Sequence, residues 1–196
     1  MQEFGLWLKL GVQHISDVNG YDHMLFLLVL CAPYGFKQLK ALIWLITGFT
    51  IGHSLALAFS VLGIVKLPSA WVELAIAITI LITALMAIIQ QRKISERPLL
   101  PSILLVVFFG LIHGLGFSTL LKGLLSNGQG IAMPLLAFNL GLELGQLLIV
   151  AVILALMWLF ERYFHFTQQL QLRFYGILAA FISLSMAWVR LSLLIN

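Results

Sequence analysis

The sequence predicts an all-α integral membrane protein, a bundle of six transmembrane helices with an additional N-terminal interfacial or re-entrant helix. Two observations support this prediction. Hydrophobic residues make up 62% of the 196 residues and charged residues only 9%, whereas a soluble domain carries about 25% charged residues. The apolar residues also form six long runs, and a bilayer-crossing helix needs about 20 residues. We therefore expect one transmembrane domain over residues 1–196.

The predicted spans follow one another with short connections. They cover residues 22–36, 38–62, 68–90, 101–121, 131–159 and 173–194, of which the first is short. The earlier stretch from Phe4 to Val12 is too short to span and carries Lys9, so we expect it to lie at the interface or to re-enter the bilayer. It lacks the basic start and the cleavage site of a secretory signal peptide.

The lysines and arginines of the connections predict the orientation. Seven follow the first, third and fifth spans, and four lie on the other side. By the positive-inside rule both termini face outside the cytoplasm, in what we expect to be a bacterial inner membrane. The net charge of +4 does not indicate a nucleic-acid partner, because the basic residues are scattered. The single cysteine, Cys31, is expected to be a buried small hydrophobic residue.

Polar and titratable side chains interrupt the apolar runs. Each is costly in hydrocarbon unless it faces a partner, an ion or a wet cavity, so each indicates a functional site. The predicted metal ligands are His14, Asp22, His23, His53 and His113. Glu73 and Glu143 are predicted to carry protons or to act as a general base. Ser54, Asn139 and Gln146 are predicted to support the ligands.

The spacing of these residues predicts that they share one site. Counted at 1.5 Å per residue, they fall in the outer half of the membrane. Asn139, Glu143 and Gln146 stand at i, i+4 and i+7 and therefore share a helix face. Small-residue pairs that permit close helix packing occur in the same spans. These pairs are Gly48 with Gly52, Gly110 with Gly114, and Gly141 with Gly145.

The donor types narrow the choice of ion. Imidazole and carboxylate together suit nickel, cobalt, zinc or iron, whereas the lack of a second cysteine argues against a thiolate site. Calcium and magnesium prefer oxygen ligands. His165 lies among polar residues in a connection and is expected to be solvated. Arg190, near the end of the last span, is expected to extend its charged group to the membrane surface.

The ordered motifs resemble the HupE/UreJ family of small polytopic membrane proteins. They begin with His14-Ile15 and continue as Gly20-Tyr21-Asp22-His23, Phe49-Thr50-x-Gly52-His53-Ser54, Phe109-Gly110-x-x-His113-Gly114 and Phe138-Asn139-x-Gly141-x-Glu143-x-Gly145-Gln146. The resemblance covers the first five predicted spans. It implies a membrane protein connected with nickel, since the family name refers to hydrogenase and urease operons.

Three functions remain open at this point. A transporter would capture a divalent ion from outside and pass it inward, with Glu143 or Glu73 changing protonation. A zinc-dependent intramembrane hydrolase would hold zinc and a water, with Glu143, Glu73 or Asp22 as general base near the outer leaflet. A structural membrane subunit would use the polar cluster only for packing. We favour a nickel or cobalt transporter, with the metal ion and the lipid bilayer as partners and a homo-oligomer or membrane complex as a further expectation.

Overall fold

The computed structural model describes residues 2–18, 20–89, 98–125 and 130–195. Within them the chain forms seven α-helices and no strand, so the all-α prediction is confirmed. The helices are α1 (Gln2–Ile15), α2 (Asp22–Cys31), α3 (Leu39–Val61), α4 (Ser69–Ile88), α5 (Leu99–Leu124), α6 (Ala132–Phe164) and α7 (Gln168–Ile195). A short 3₁₀ turn, Phe36–Gln38, precedes α3.

Five helices, α3 to α7, are long and apolar enough to cross a membrane. The prediction of six spans and an extra helix is not confirmed. The first predicted span, 22–36, is the ten-residue helix α2, which is about 15 Å long and reaches through half of a bilayer. Ala32 still has helical backbone, but Pro33 after it has no amide hydrogen with which to continue the helical hydrogen bonds.

The other predicted spans agree with long helices to within a few residues. α4 and α5 begin directly after Pro68 and Pro98, whose backbones are extended. α6 is longer than predicted and ends at His165, which takes a left-handed conformation and donates its amide hydrogen to the carbonyl of Phe160. This is a common way to terminate a helix.

Glycines bring α3 and α5 into direct backbone contact. A Cβ at Gly52 would overlap the carbonyl oxygen of Val107, and a Cβ at Gly110 would overlap that of Phe49. A Cβ at Gly114 would overlap the carbonyl oxygen of His53. These contacts pair rising residue numbers, so the two helices run parallel. The close packing of these two helices fixes the position of His53 relative to α5.

The N-terminal helix α1 packs against α6 in the same manner. A Cβ at Gly11 would overlap the carbonyl oxygen of Phe138, and a Cβ at Gly141 would overlap that of Leu8. Gly145 lies against Ile15. α1 therefore runs parallel to α6 and lies along its apolar length, with Gly11 and Ile15 buried.

α1 ends at Ile15, α2 begins at Asp22, and the two helices run in the same direction. α2 is antiparallel to α5, because His23 lies near His113 and Phe26 near Phe109. α6 is antiparallel to α3 and hence to α5, since Phe138 lies near His53 and Glu143 near Thr47. α1, α2 and α6 are therefore parallel, and the two short helices follow each other across the bundle.

The directions of the helices define two opposite ends of the bundle. The terminal face contains Gln2, the α3–α4 connection and Ile195. The opposite face contains the α2–α3 and α6–α7 connections. The antiparallel pairing of α4 with α7 agrees with this assignment, because Glu73 meets Arg190 near the terminal face and Gly176 meets Ile88 near the opposite one.

Candidate metal centre

Four histidines from four helices converge on one region of the bundle. The ring centre of His23 lies 4.9 Å from that of His14, 5.1 Å from that of His113 and 6.0 Å from that of His53. The rings of His14 and His53 are 5.7 Å apart. The histidine cluster therefore joins α1, α2, α3 and α5, the four helices on which the sequence predicted metal ligands.

Two overlapping groups within the cluster have the spacing of metal ligands. His14, His23 and His53 each offer a ligand atom within 4.8 Å of the others, and so do Asp22, His23 and His113. His23 belongs to both groups. The structure thus brings all five predicted ligands together. The sequence did not predict that they would form two groups that share His23.

Most of the ring nitrogens in this cluster lack a protein partner. Among the described residues, no hydrogen bond reaches the buried Nε2 atoms of His14 and His23, Nδ1 of His113, or either nitrogen of His53. His53 is fully buried, with 0% exposure. Buried polar atoms are nearly always satisfied, and an exception requires a water, an ion or a functional role. A neutral imidazole has one lone pair, so each of the four histidines can offer one of these nitrogens to a cation, while the second nitrogen of His53 carries hydrogen.

Asp22 fixes the orientation of His23. Its Oδ1 lies 3.0 Å from Nδ1 of His23 and accepts the backbone amide hydrogen of the same residue at 2.9 Å. A carboxylate only accepts, so Nδ1 of His23 carries the hydrogen and Nε2 presents a lone pair. Metal-binding histidines commonly have this kind of partner on the other nitrogen.

Thr79 of α4 fixes the orientation of the His113 ring in a similar way. The Thr79 hydroxyl donates to the carbonyl of Ile76 at 2.7 Å and lies 3.0 Å from Nε2 of His113. Because the single hydroxyl hydrogen is already used, Nε2 of His113 donates and Nδ1 presents its lone pair. Sequence reasoning missed Thr79, since a lone threonine in an apolar helix carries no distinctive signal.

Aromatic rings enclose the histidines. The Phe117 ring lies 4.0 Å from that of His14, and Phe138 lies 5.7 Å from it. Phe26 and Phe49 lie 5.4 and 5.2 Å from His113. This surrounding lowers the local dielectric and strengthens electrostatic interactions at the cluster.

A cavity of about 500 Å³ connects the cluster with the terminal face. His14, His23 and His113 border this vestibule, whereas His53 lies behind them. Three carboxylate residues, Asp17, Asp22 and Glu73, and one arginine, Arg190, also border it. The acidic excess favours the approach of cations.

Glu73 lies in the vestibule but outside both ligand groups. Its Oε2 is 2.9 Å from Nη1 of Arg190, and the two side chains are 37% and 43% exposed. Sequence reasoning expected Arg190 to reach toward the membrane surface. The structure places it in an ion pair across α4 and α7.

Glu143 also lies outside the two ligand groups, on the α3–α6 contact. Its Oε1 accepts a hydrogen bond of 2.7 Å from Thr47, six residues before His53. One turn away, the Oε1 atom of Gln146 accepts from Thr50 at 2.8 Å, while the buried Nε2 of Gln146 has no partner among the described residues.

The remaining predicted support residues bond to their own helices. The Ser54 hydroxyl donates to the carbonyl of Thr50 at 2.7 Å. Asn139 donates its amide hydrogen to the carbonyl of Leu135 at 2.7 Å, and its buried Oδ1 has no partner within the described part of the chain. His165 is exposed in the α6–α7 connection, away from the cluster.

Comparison with known proteins identifies one family for this chain. Residues 1–191 match the family described as HupE / UreJ protein. No curated protein and no solved structure gives a significant match to the chain. The family consists of membrane proteins related to nickel and cobalt handling, and the match extends over almost the whole chain. The chain belongs to the HupE/UreJ family.

Proposed function

We propose that this protein is a nickel or cobalt ion transporter that binds its substrate ion at the histidine cluster. The observation that carries the proposal is the convergence of four histidines whose buried nitrogens lack hydrogen-bond partners. Leaving such nitrogens dry and unpaired is unfavourable. A bound divalent ion would satisfy one nitrogen of each histidine that binds it, and nickel and cobalt both accept imidazole nitrogen.

The vestibule provides the route by which the ion approaches. Asp17, Asp22 and Glu73 give it a negative character. An ion would first meet His23 and His113, which border the vestibule, and His53 only after passing them. His23 belongs to both ligand groups, so it serves the ion in either position.

We further propose that α1 and α2 together make one discontinuous membrane crossing. Their 14 and ten residues add up to a helical length of about 36 Å, which matches the thickness of a bilayer. Transporters often place ion sites at such breaks. With α3 to α7 this gives six crossings, so both termini would lie on one side of the membrane. The excess of basic residues in the opposite connections favours an orientation in a bacterial inner membrane with both termini outside the cytoplasm.

The carboxylates outside the cluster have separate proposed roles. Glu143, bonded to Thr47, would carry a proton when the ion moves, and Asn139, Gln146 and Ser54 would support the α3–α6 contact. Glu73 would balance the charge of Arg190 and help to attract cations. A homo-oligomer or a larger membrane complex remains a prediction.

The zinc hydrolase receives less support than transport. A hydrolase needs a general base within reach of a metal-bound water. Glu73 and Glu143 are engaged by Arg190 and Thr47, and Asp22 is engaged by His23. The family is related to nickel and cobalt rather than zinc. A purely structural subunit would leave the unpaired histidine nitrogens without an explanation.

The experiment is a metal titration combined with uptake by reconstituted vesicles. The purified protein is expected to bind about one nickel or cobalt ion tightly, as three or four protein ligands would provide. His53→Ala and His113→Ala should abolish tight binding and uptake. His165→Ala is the matched control, because this histidine is exposed and distant. Parental stoichiometry in both cluster variants would remove His53 and His113 from the ligand set.

A further inference from the structure

A second cavity lies at the opposite end of the bundle. Its volume is about 430 Å³, and the α2–α3 connection, the end of α6 and the start of α7 border it. Glu161 and Gln171 contribute side chains to its wall, and none of the described residues that border it is basic. The last turn of α6 also directs its carbonyl groups toward this end, which favours cations.

Gln171 borders this cavity and has an unpaired side-chain oxygen. The side chain is 1% exposed, and its amide nitrogen donates to the carbonyls of Met157 and Phe166 at 2.8 and 2.7 Å. These two bonds fix the orientation of the amide. Its Oε1 is buried and has no donor among the described residues, and a buried acceptor without a partner requires an explanation such as a bound water or ion.

A narrow crevice lies between this cavity and the histidine cluster. It measures about 70 Å³, and Phe26 and Phe109 border it at one end. Tyr34 borders both the crevice and the opposite cavity. The crevice therefore follows α2 from the cluster toward the opposite face.

Three phenylalanines separate the crevice from the histidines. The Phe26 ring lies 5.0 Å from that of Phe49 and 6.3 Å from that of Phe109. All three are buried, and Phe26 and Phe49 also contact the ring of His113. This aromatic layer prevents a hydrated ion from passing in the conformation described.

Hydroxyl groups continue past the layer along α4. Thr79 bonds to His113, and the hydroxyl of Thr83 donates to the carbonyl of Thr79 at 2.8 Å. Thr83 borders the crevice. Polar atoms thus extend from the cluster to the far side of the aromatic layer.

We propose that Glu161 and Gln171 form a second, oxygen-only cation site from which the substrate ion is released at the opposite face, and that the aromatic layer of Phe26, Phe49 and Phe109 separates this site from the histidine cluster. This inference rests on the proposed transport function. Carboxylate and amide oxygens hold late first-row ions less tightly than imidazole does. An ion that reaches this site therefore leaves it readily.

The release site is tested by its preference for a different ion. Manganese(II) suits carboxylate and carbonyl oxygen, and its electron paramagnetic resonance signal distinguishes free from bound ion. A weak manganese site is expected in the full-length parent and in His53→Ala. Both Glu161→Gln and Gln171→Leu should remove it, whereas Glu3→Gln, an exposed change on the terminal face, should leave it intact.

Uptake of nickel by vesicles provides the second measurement. Glu161→Gln and Gln171→Leu should bind nickel at the histidine cluster as the parent does, yet transport it at least about tenfold more slowly, as expected for a lost coordinating group. Phe109→Leu, a change in a ring of the layer that borders the crevice, should raise the uptake rate without changing nickel affinity. Phe108→Leu is its control, because Phe108 is adjacent in the chain but exposed on the outside of α5.

The outcomes separate this inference from the proposed function. A parent that transports nickel while both release-site variants keep parental manganese binding and uptake would overturn the second site. Slower uptake combined with loss of nickel at the histidine cluster would also overturn it, because the variants would then act by misfolding. A parent that binds no nickel, or binds it without uptake, would refute the proposed transport function itself.

Discussion

Replacement of Gly52 by alanine tests whether close packing of α3 and α5 builds the metal centre. The added Cβ would overlap the carbonyl oxygen of Val107 and lie 2.9 Å from its carbonyl carbon and 3.0 Å from the amide nitrogen of Leu111. These are backbone atoms that cannot rotate away. Two carbon atoms in contact lie about 3.5 Å apart, so the helices must separate by at least about 0.6 Å.

This displacement is large compared with the tolerance of a metal site. Ligand distances must agree with ideal values to within about 0.2 Å, and His53 follows Gly52 directly while His113 lies on the partner helix. We expect Gly52→Ala to weaken nickel binding at least about tenfold, the effect typical of disturbed ligand orientation. Overpacking should also destabilise the fold by about 1–3 kcal/mol.

Gly48→Ala is the matched control one turn away on the same helix. There the added Cβ would meet a methyl group of Ile103 at 3.3 Å, and a side chain can shift by the small amount required. Both variants gain the same helix propensity. Nickel titration of the purified proteins, with size-exclusion chromatography to verify folding, gives the comparison. Equal affinities in Gly52→Ala and Gly48→Ala would refute the reasoning.

Three further predictions concern individual groups. Glu143→Gln retains an acceptor for Thr47 and should fold normally but lose pH-dependent binding or uptake; an unchanged pH profile measured in vesicles would assign Glu143 a structural role. Thr79→Val removes the acceptor of His113 and should weaken nickel binding by about 10–100-fold in the same titration, and parental affinity would contradict the assigned tautomer. A reporter fused to Asn196 should be active only outside the cytoplasm, and cytoplasmic activity would reverse the orientation.

Periodicity and composition were sufficient for the long helices but not for the first predicted span. Apolar runs predicted α3 to α7 because each long helix must satisfy its own backbone in lipid. The residues from 22 to 36 are equally apolar, yet the helix stops at Cys31. Hydropathy indicates that a segment is buried away from water. It does not distinguish a helix that crosses the whole bilayer from a short helix that is enclosed by neighbouring helices.

The histidines could be predicted because a titratable group in an apolar run is costly and therefore informative. His14, His23, His53 and His113 all reached one cluster. The same argument indicated Glu73 and Glu143, but these residues pair with Arg190 and Thr47 instead. The free-energy cost of burying a polar side chain shows that the residue needs a partner, but it does not identify that partner.

The sequence by itself determined the membrane class, the long helices and the set of buried imidazoles, since these depend on composition and on the order of residues along single helices. Only the tertiary structure decided the contacts between helices. It placed α1 against α6 through Gly11 and Gly141, and it gave His113 its partner Thr79. The physical reason is that such contacts depend on rotation and crossing angle, which short-range patterns leave free.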